Sequence, residues 1–141
     1  MATQTTAVPG RPTFLQVAMA LQTLAIFFQA ATAGILLSSS YGQALHDAGS
    51  RVMYGASMLY VLAAILAWRP GGGSPRPILY ASGFLVLASV QVVLGIAHVS
   101  SLHVPLGILM FGLSMLELGQ VLSTRLSGGA AGREQRMTVG G

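Results

Sequence analysis

Three histidines are the side chains of this chain best suited to binding a metal ion, and two of them occupy equivalent positions in a repeat. A shift of 57 residues superimposes the segment that starts at His46 on the segment that starts at His103. Six positions of a 14-residue window are then identical, and Tyr54 matches Phe111. Imidazole is a common metal ligand. The repeat therefore predicts two metal-binding side chains at equivalent places in two copies of one structural unit.

Each of these histidines also begins a stripe of residues at helical spacing. Offsets of 4, 7, 11, 14 and 18 residues place side chains on one face of a helix. The two stripes consist of His103, Gly107, Met110, Ser114, Glu117 and Val121, and of His46, Ser50, Met53, Ser57, Tyr60 and Ala64. Both contain polar residues, which a lipid-facing surface would not need. We therefore expect both stripes to face the interior of a helix bundle.

The composition is that of a membrane protein. Of the 141 residues, 53% are hydrophobic and only 7% are charged, whereas a soluble domain carries about 25% charged residues. Four apolar stretches reach the ~20 residues that a helix needs to cross a bilayer. These predicted spans cover residues 14–37, 49–68, 78–98 and 104–122. We therefore expect an all-α fold, a polytopic membrane four-helix bundle made of two duplicated helical hairpins and surrounded by a lipid bilayer.

Seven arginines and no lysine supply the positive charge, and their distribution predicts the topology. All except Arg51 lie before the first span, between the second and third spans, or after the last span. Because positive residues are enriched in cytoplasmic loops, both termini are predicted to be cytoplasmic, with the histidines at the outer face of the cell membrane. Residues 1–13 and 123–141 are predicted to be a disordered tail and a flexible tail in the cytoplasm. The dispersed arginines form no nucleic-acid-binding patch.

The ligand set of the histidine pair favours one class of cofactor. The chain has no cysteine, which excludes thiolate metal sites, iron–sulfur clusters and covalent haem attachment through Cys-x-x-Cys-His. Zinc takes four ligands, or three and water, and only His98 and Asp47 are near enough in sequence to complete such a set. Haem iron instead accepts imidazole as an axial ligand. We therefore expect one haem b, with His46 and His103 as the metal ligands.

Five further residues are predicted to contact this haem. Arg51 and His98 would meet its propionates at the outer face. Gly107 would leave room for the ring one helical turn further in, and Met53 and Met110 would supply adaptable apolar packing. The alternative is that the two ligand histidines are hydrogen-bonded residues at helix starts, with no cofactor between them.

Two acidic residues have separate predicted roles. Glu117 is the only acid inside a predicted span, 14 residues beyond His103, or about 21 Å along a helix. It would accept a proton or line a quinone pocket, or else be neutral and hydrogen-bonded to an amide such as Gln120 or Gln22. Asp47 is predicted to cap the second helix.

The segment Gln91-x-x-x-Gly95-Ile96, a short outer loop and then His103 at the start of the fourth helix resemble half of a haem A synthase. The resemblance covers roughly residues 29–122 and extends to small four-helix bacterial membrane proteins that correspond to one such half. It implies that His46 and His103 match the family's axial haem ligands, which open the second and fourth helix of each half. Gln43 replaces the family's acidic residue one turn before the first ligand, and its outer-loop cysteine pair is absent. The resemblance therefore implies b-type haem binding rather than oxidation of haem O.

Three functions are compatible with these features. A bis-histidine haem protein would act in electron transfer or haem handling, together with a membrane redox partner or a respiratory complex. A structural or accessory subunit of a membrane complex would use the histidines only for packing. A small proton-coupled transporter would use Glu117 as its coupling acid. No residue is predicted to be catalytic, so an enzymatic activity is not expected.

Overall fold

The computed structural model describes residues 12–70 and 72–139, except for the side chains of residues 126 and 128–139. Its helices are α1 (Phe14–Leu36), α2 (Gly42–Trp68), α3 (Arg76–Ile96) and α4 (Ser100–Val139). Each contains a stretch that is long and apolar enough to cross a membrane. The predicted all-helical fold with four such helices is therefore confirmed, and it fits a multi-pass protein in a lipid bilayer.

The four helices pack as a ring. Both α1 and α3 contact α2 and α4. Therefore α2 and α4 lie on one diagonal of the ring, and α1 and α3 lie on the other. Short loops join successive helices, so the α1–α2 and α3–α4 loops lie at the same end of the bundle. We call this end the histidine end, because His46, His98 and His103 lie near it, and we call the opposite end the Arg76 end.

Small side chains allow the helices of this ring to approach one another closely. Six buried alanines form much of the core, namely Ala18, Ala25, Ala63, Ala64, Ala81 and Ala88. Small residues at helix interfaces are typical of membrane bundles, in which van der Waals packing drives association. Large apolar side chains such as Phe28, Leu79 and Leu116 are exposed instead. Their exposure suits a surface in contact with lipid.

The first helix begins with a capping box. Thr13 Oγ1 accepts a hydrogen bond from the backbone N–H of Gln16 at 3.3 Å, and Gln16 Oε1 accepts one from the Thr13 N–H at 2.9 Å. This reciprocal pair satisfies two backbone donors that the helix start would leave unpaired. The predicted tail before it, residues 1–13, lies outside the described residues except for its last two.

The α1–α2 connection is shorter than the sequence predicted. Helix α2 begins at Gly42 rather than near residue 49, so His46 lies inside the helix. The predicted cap by Asp47 is wrong, because the Asp47 carboxylate accepts a hydrogen bond from Gln43 Nε2 at 2.9 Å within the helix. Gln43, His46 and Asp47 reduce the hydropathy of this segment without interrupting the helix.

The α3–α4 connection is a tight turn that ends α3 in a Schellman motif. His98 has a φ of 55°, the left-handed conformation that glycine usually supplies at this position. The N–H of His98 donates to the carbonyl of Gly95 at 3.1 Å, and the N–H of Val99 donates to that of Leu94 at 3.0 Å. These bonds satisfy carbonyls in the last turn of α3.

Helix α4 is longer than its predicted span. It begins at Ser100, so His103 lies in its first turn, and it continues to Val139. Residues 123–139, for which the sequence predicted a flexible tail, are therefore helical. No proline follows Pro105 in the sequence, and so nothing after this residue excludes a continuous helix.

Candidate functional site

His46 and His103 face each other across the diagonal between α2 and α4. Their ring centroids are 6.1 Å apart, and the ring planes are inclined by 70°. Both side chains are half-buried. The structure therefore brings together the two histidines that the repeat placed at equivalent positions.

The ring of His46 is held by side chains of α1. Gln29 Nε2 lies 3.2 Å from His46 Nε2 and donates to the His46 backbone carbonyl, also at 3.2 Å. Because an amide nitrogen only donates, His46 Nε2 is the acceptor, and Nδ1 carries the proton toward Thr32 Oγ1 at 3.3 Å. Gln29 fits here because Gly49 has no side chain; a Cβ at Gly49 would collide with Gln29 Oε1. A metal ion at His46 Nε2 would therefore have to displace Gln29.

The ring of His103 is oriented by α3. Its Nδ1 lies 3.1 Å from the backbone carbonyl of Gln91, and a carbonyl only accepts, so Nδ1 carries the proton. Nε2 then has a lone pair that is directed away from this bond. Metal-binding histidines commonly donate their second nitrogen to a carbonyl in this way. Gly95 allows the close approach, since a Cβ there would lie 3.4 Å from His103 Cε1.

Three of the other predicted haem contacts lie on the inward stripes. Met53 and Met110 are in the core, with 4% and 2% of their surface exposed. The space beside Gly107 is taken by Gln91, whose Nε2 would lie 2.9 Å from a Cβ at the glycine. This glycine therefore makes room for an amide of the protein, rather than leaving the open space that the sequence predicted.

The remaining predicted contacts, Arg51 and His98, are exposed side chains. No hydrogen bond or ion pair between described residues links either of them to the histidine pair. Among the side chains that the structure describes, no group of three or more histidine, aspartate or glutamate residues could hold a metal ion. A zinc site with three protein ligands is therefore not formed in this part of the chain, whereas two axial ligands are all that a haem iron needs from the protein.

A second pair of residues separated by 57 positions lies nearer the Arg76 end. The hydroxyl of Tyr60 donates a hydrogen bond to Glu117 Oε1. Tyr60 is 1% exposed and Glu117 is half-buried. The sequence predicts both residues on equivalent stripes, but with Gln22 or Gln120 as the partner of Glu117. The 57-residue shift that matches the two histidines also matches Tyr60 with Glu117, so the repeat contained the information needed to predict this contact.

Buried polar side chains fill the core between the two pairs. Ser57 and Ser114 are 0% and 3% exposed. Thr23 Oγ1 lies 3.5 Å from the carbonyl of Ser114, which places this turn of α1 beside the middle of α4. The neighbouring Gln22 is 2% exposed, and neither atom of its amide has a hydrogen-bond partner among the described residues. Oε1 of the buried Gln91 is also without a partner there.

Comparison with known proteins gives no match, so a function has to be inferred from the geometry of the side chains. No family model, curated protein or solved structure matches this chain. Two features could carry chemistry: the neighbouring imidazoles at the histidine end, and the hydrogen bond between Tyr60 and Glu117. The amide of Gln22, which has no partner among the described residues, is buried in the same bundle.

Proposed function

We propose that this chain is a multi-pass protein of the cell membrane that binds one haem b between His46 and His103. The observation that carries the proposal is the closeness of the two imidazole rings across the bundle. Their centroid separation of 6.1 Å is about the length of two metal–nitrogen bonds of about 2 Å each plus the half-widths of two imidazole rings. The inclination of 70° between the planes does not prevent both rings from binding one metal ion.

The donor atoms fit a haem iron. Nε2 of each ring carries a lone pair, because Nδ1 of His103 is bonded to the Gln91 carbonyl and Nδ1 of His46 faces the Thr32 hydroxyl. These outer bonds fix the orientation of each ring. Gln29 would leave His46 Nε2 when the iron binds. The bound haem would supply a one-electron redox centre, with Met53 and Met110 beneath the histidines.

The repeat in the sequence supports the same proposal. Both pairs separated by 57 residues are in contact, His46 with His103 and Tyr60 with Glu117. A pseudo-two-fold axis between α2 and α4 would explain why equivalent residues meet at two different depths. The resemblance to half of a haem A synthase agrees with two histidines on such an axis as ligands.

The position of the site suggests its use. The distribution of the arginines favours an orientation with both termini in the cytoplasm and the histidine end at the outer face. A half-buried haem near that face would be close enough to the surface to exchange electrons with a membrane redox partner, such as a respiratory complex. It would also be close enough to receive or release haem. Electron transfer and haem handling are therefore the two roles that we propose.

An absorbance spectrum of the detergent-solubilised protein, purified from cells supplied with haem, tests the proposal. We expect a Soret band that is lost in His46→Ala and in His103→Ala. Leu102→Ala is the matched control and should keep the band, because this residue adjoins His103 in sequence but its side chain is 59% exposed. A colourless protein, or a band that survives both ligand variants, would contradict haem binding. Co-purification with other membrane proteins in that case would favour the structural or accessory subunit.

A further inference from the structure

The buried amide of Gln22 is the least satisfied polar group in the described core. Both its nitrogen and its oxygen lack a hydrogen-bond partner among the described residues, although the residue is only 2% exposed. A polar group without a partner is unfavourable in the apolar interior of a membrane protein, because no bulk water is available to form a hydrogen bond with it. The position therefore calls for a hydrogen-bonding ligand.

Gln22 lies close in depth to the Tyr60–Glu117 pair. The contact of Thr23 with the Ser114 carbonyl fixes the level of this turn of α1. Glu117 is three residues beyond Ser114, or about 4.5 Å along the helix axis. Along the axis, this offset is within the reach of a single bridging water molecule.

The hydrogen-bonding capacity of Glu117 is only partly used. Its Oε1 accepts from the Tyr60 hydroxyl, and its second oxygen has no bond to a described side chain. A carboxyl group in an apolar interior is more stable in its neutral form, in which the second oxygen carries a proton and needs an acceptor. Gln22 Oε1 is a buried acceptor at this depth.

We propose that Gln22, Tyr60 and Glu117 form an internal proton-binding site that exchanges its proton with the solvent at the Arg76 end. Glu117 takes up one proton to become a carboxylic acid, and releasing that proton restores the carboxylate. Tyr60 donates to Glu117 in both states. Gln22 accepts from the acid form through its oxygen and donates to the carboxylate through its nitrogen, directly or through bound water.

Among the side chains around this site, Glu117 is the one that takes up the proton. Helix α2 contributes Tyr60, and α1 contributes the uncharged Gln22. Helix α3 contributes Tyr80, an exposed residue near enough to act electrostatically on Tyr60. On α4 itself, Arg125 lies about two turns nearer the Arg76 end.

A shallow, open groove on the surface lies at that end. It is lined by Gln16, Gln120, Val121, Thr124 and Arg125. Val121 is four residues beyond Glu117, about one helical turn. A proton would therefore cross about one turn of protein between the groove and the carboxyl group. None of these residues belongs to the histidine pair, so the inference does not rest on haem binding.

Infrared spectroscopy of the full-length protein in lipid bilayers, at neutral pH, tests the proposal. We expect a carboxylic acid C=O band that is absent in Glu117→Gln and that shifts promptly when H₂O is replaced by D₂O. In Gln22→Met, which keeps the length of the side chain but removes the amide, we expect the band to shift in frequency and to exchange more slowly. Gln43→Met, at the histidine end, is the matched control and should leave both properties unchanged.

Three outcomes would overturn the proposal. Absence of the acid band in the unmodified protein would mean that Glu117 is ionised and binds no proton at neutral pH. A band that is present but does not exchange in D₂O would mean that the proton is fixed in a packing contact. A band that is the same in Gln22→Met would mean that Gln22 does not bond to Glu117. These readouts are the same with and without haem, so a failure here is separate from a failure of haem binding.

Discussion

Tyr60 donates a hydrogen bond to Glu117, and these two residues are separated by 57 positions, as are His46 and His103. Two pairs of equivalent residues therefore meet across the same diagonal at different depths. Between them, Met53, Met110, Ser57 and Ser114 obey the same shift and are buried. The centre of the bundle is thus built from matched positions of α2 and α4, while α1 and α3 supply the groups that hold them.

Removing the hydroxyl of Tyr60 should destabilise the bundle. In Tyr60→Phe the ring remains in the core, but Glu117 loses its donor. Hydrogen bonds between membrane helices contribute about 0.6 kcal/mol on average and up to ~1.7 kcal/mol, so we expect a loss of about 1 kcal/mol in the free energy of unfolding. Equilibrium unfolding in mixed detergent micelles measures it. Tyr41→Phe, at a residue that is 68% exposed, is the control and should be neutral. Equal stability of the two variants would show that the Tyr60 bond contributes nothing.

Adding one methyl group at Gly49 should release His46 from α1. A Cβ at Gly49 would collide with Gln29 Oε1, whereas a Cβ at Gly55 would meet nothing within 4 Å. We expect Gly49→Ala to cost about 1 kcal/mol, the usual net value of a lost hydrogen bond, and Gly55→Ala to be neutral or slightly stabilising. The His46 ring signals in NMR spectra should move only in Gly49→Ala. Unchanged signals in that variant would mean that Gln29 adapts without leaving the ring.

Replacing His98 with glycine should stabilise the protein. The left-handed conformation costs a non-glycine residue roughly 1 kcal/mol, and glycine adopts it without this cost. We expect a higher unfolding midpoint for His98→Gly and a lower one for His98→Val, whose branched side chain tolerates this conformation poorly. Thermal unfolding in detergent compares the two with the unmodified protein. A loss of stability in His98→Gly would mean that the imidazole itself makes a contact that the fold requires.

Enlarging a core alanine should disrupt the close packing of the helices. Ala64 is 0% exposed, and overpacking a core position typically costs about 1–3 kcal/mol. We expect Ala64→Leu to unfold at a lower concentration of denaturing detergent than the unmodified protein. Ala44→Leu, at an exposed position of the same helix, should unfold at the same concentration as the unmodified protein. A tolerated leucine at Ala64 would show that α2 can move away from its neighbours at little cost.

The sequence predicted the membrane spans and the inward faces because both are periodic, apolar signals. Four spans follow from stretches of about 20 apolar residues, and the stripe from His46 to Ala64 is buried at Met53, Ser57 and Tyr60. The predicted start of α2 was wrong because hydropathy marks where the lipid core ends, whereas the helix continues into the more polar interface. His46 therefore lies within a helix rather than in a loop.

The partners of the site residues were harder to predict, since they depend on the order of helices around the ring. Gln29 and Thr32 lie on an α1 stripe of small and polar residues, but the sequence did not show that α1 would meet His46. The bond of His103 to the Gln91 carbonyl involves a backbone atom, which no side-chain pattern marks. Gly107 was expected to leave space, and Gln91 fills it because α3 is adjacent to α4.

The order of the helices around the ring predicts that the chain could be cut between α2 and α3 and still assemble. The loop between α2 and α3 joins two hairpins that already share the α2–α3 and α1–α4 interfaces. A chain severed at this loop would keep both interfaces, so the two fragments could find each other in a membrane when they are produced separately. One fragment would carry His46 and Tyr60, and the other would carry His103 and Glu117. Neither fragment alone would form either pair, so both sites would exist only in the reassembled protein.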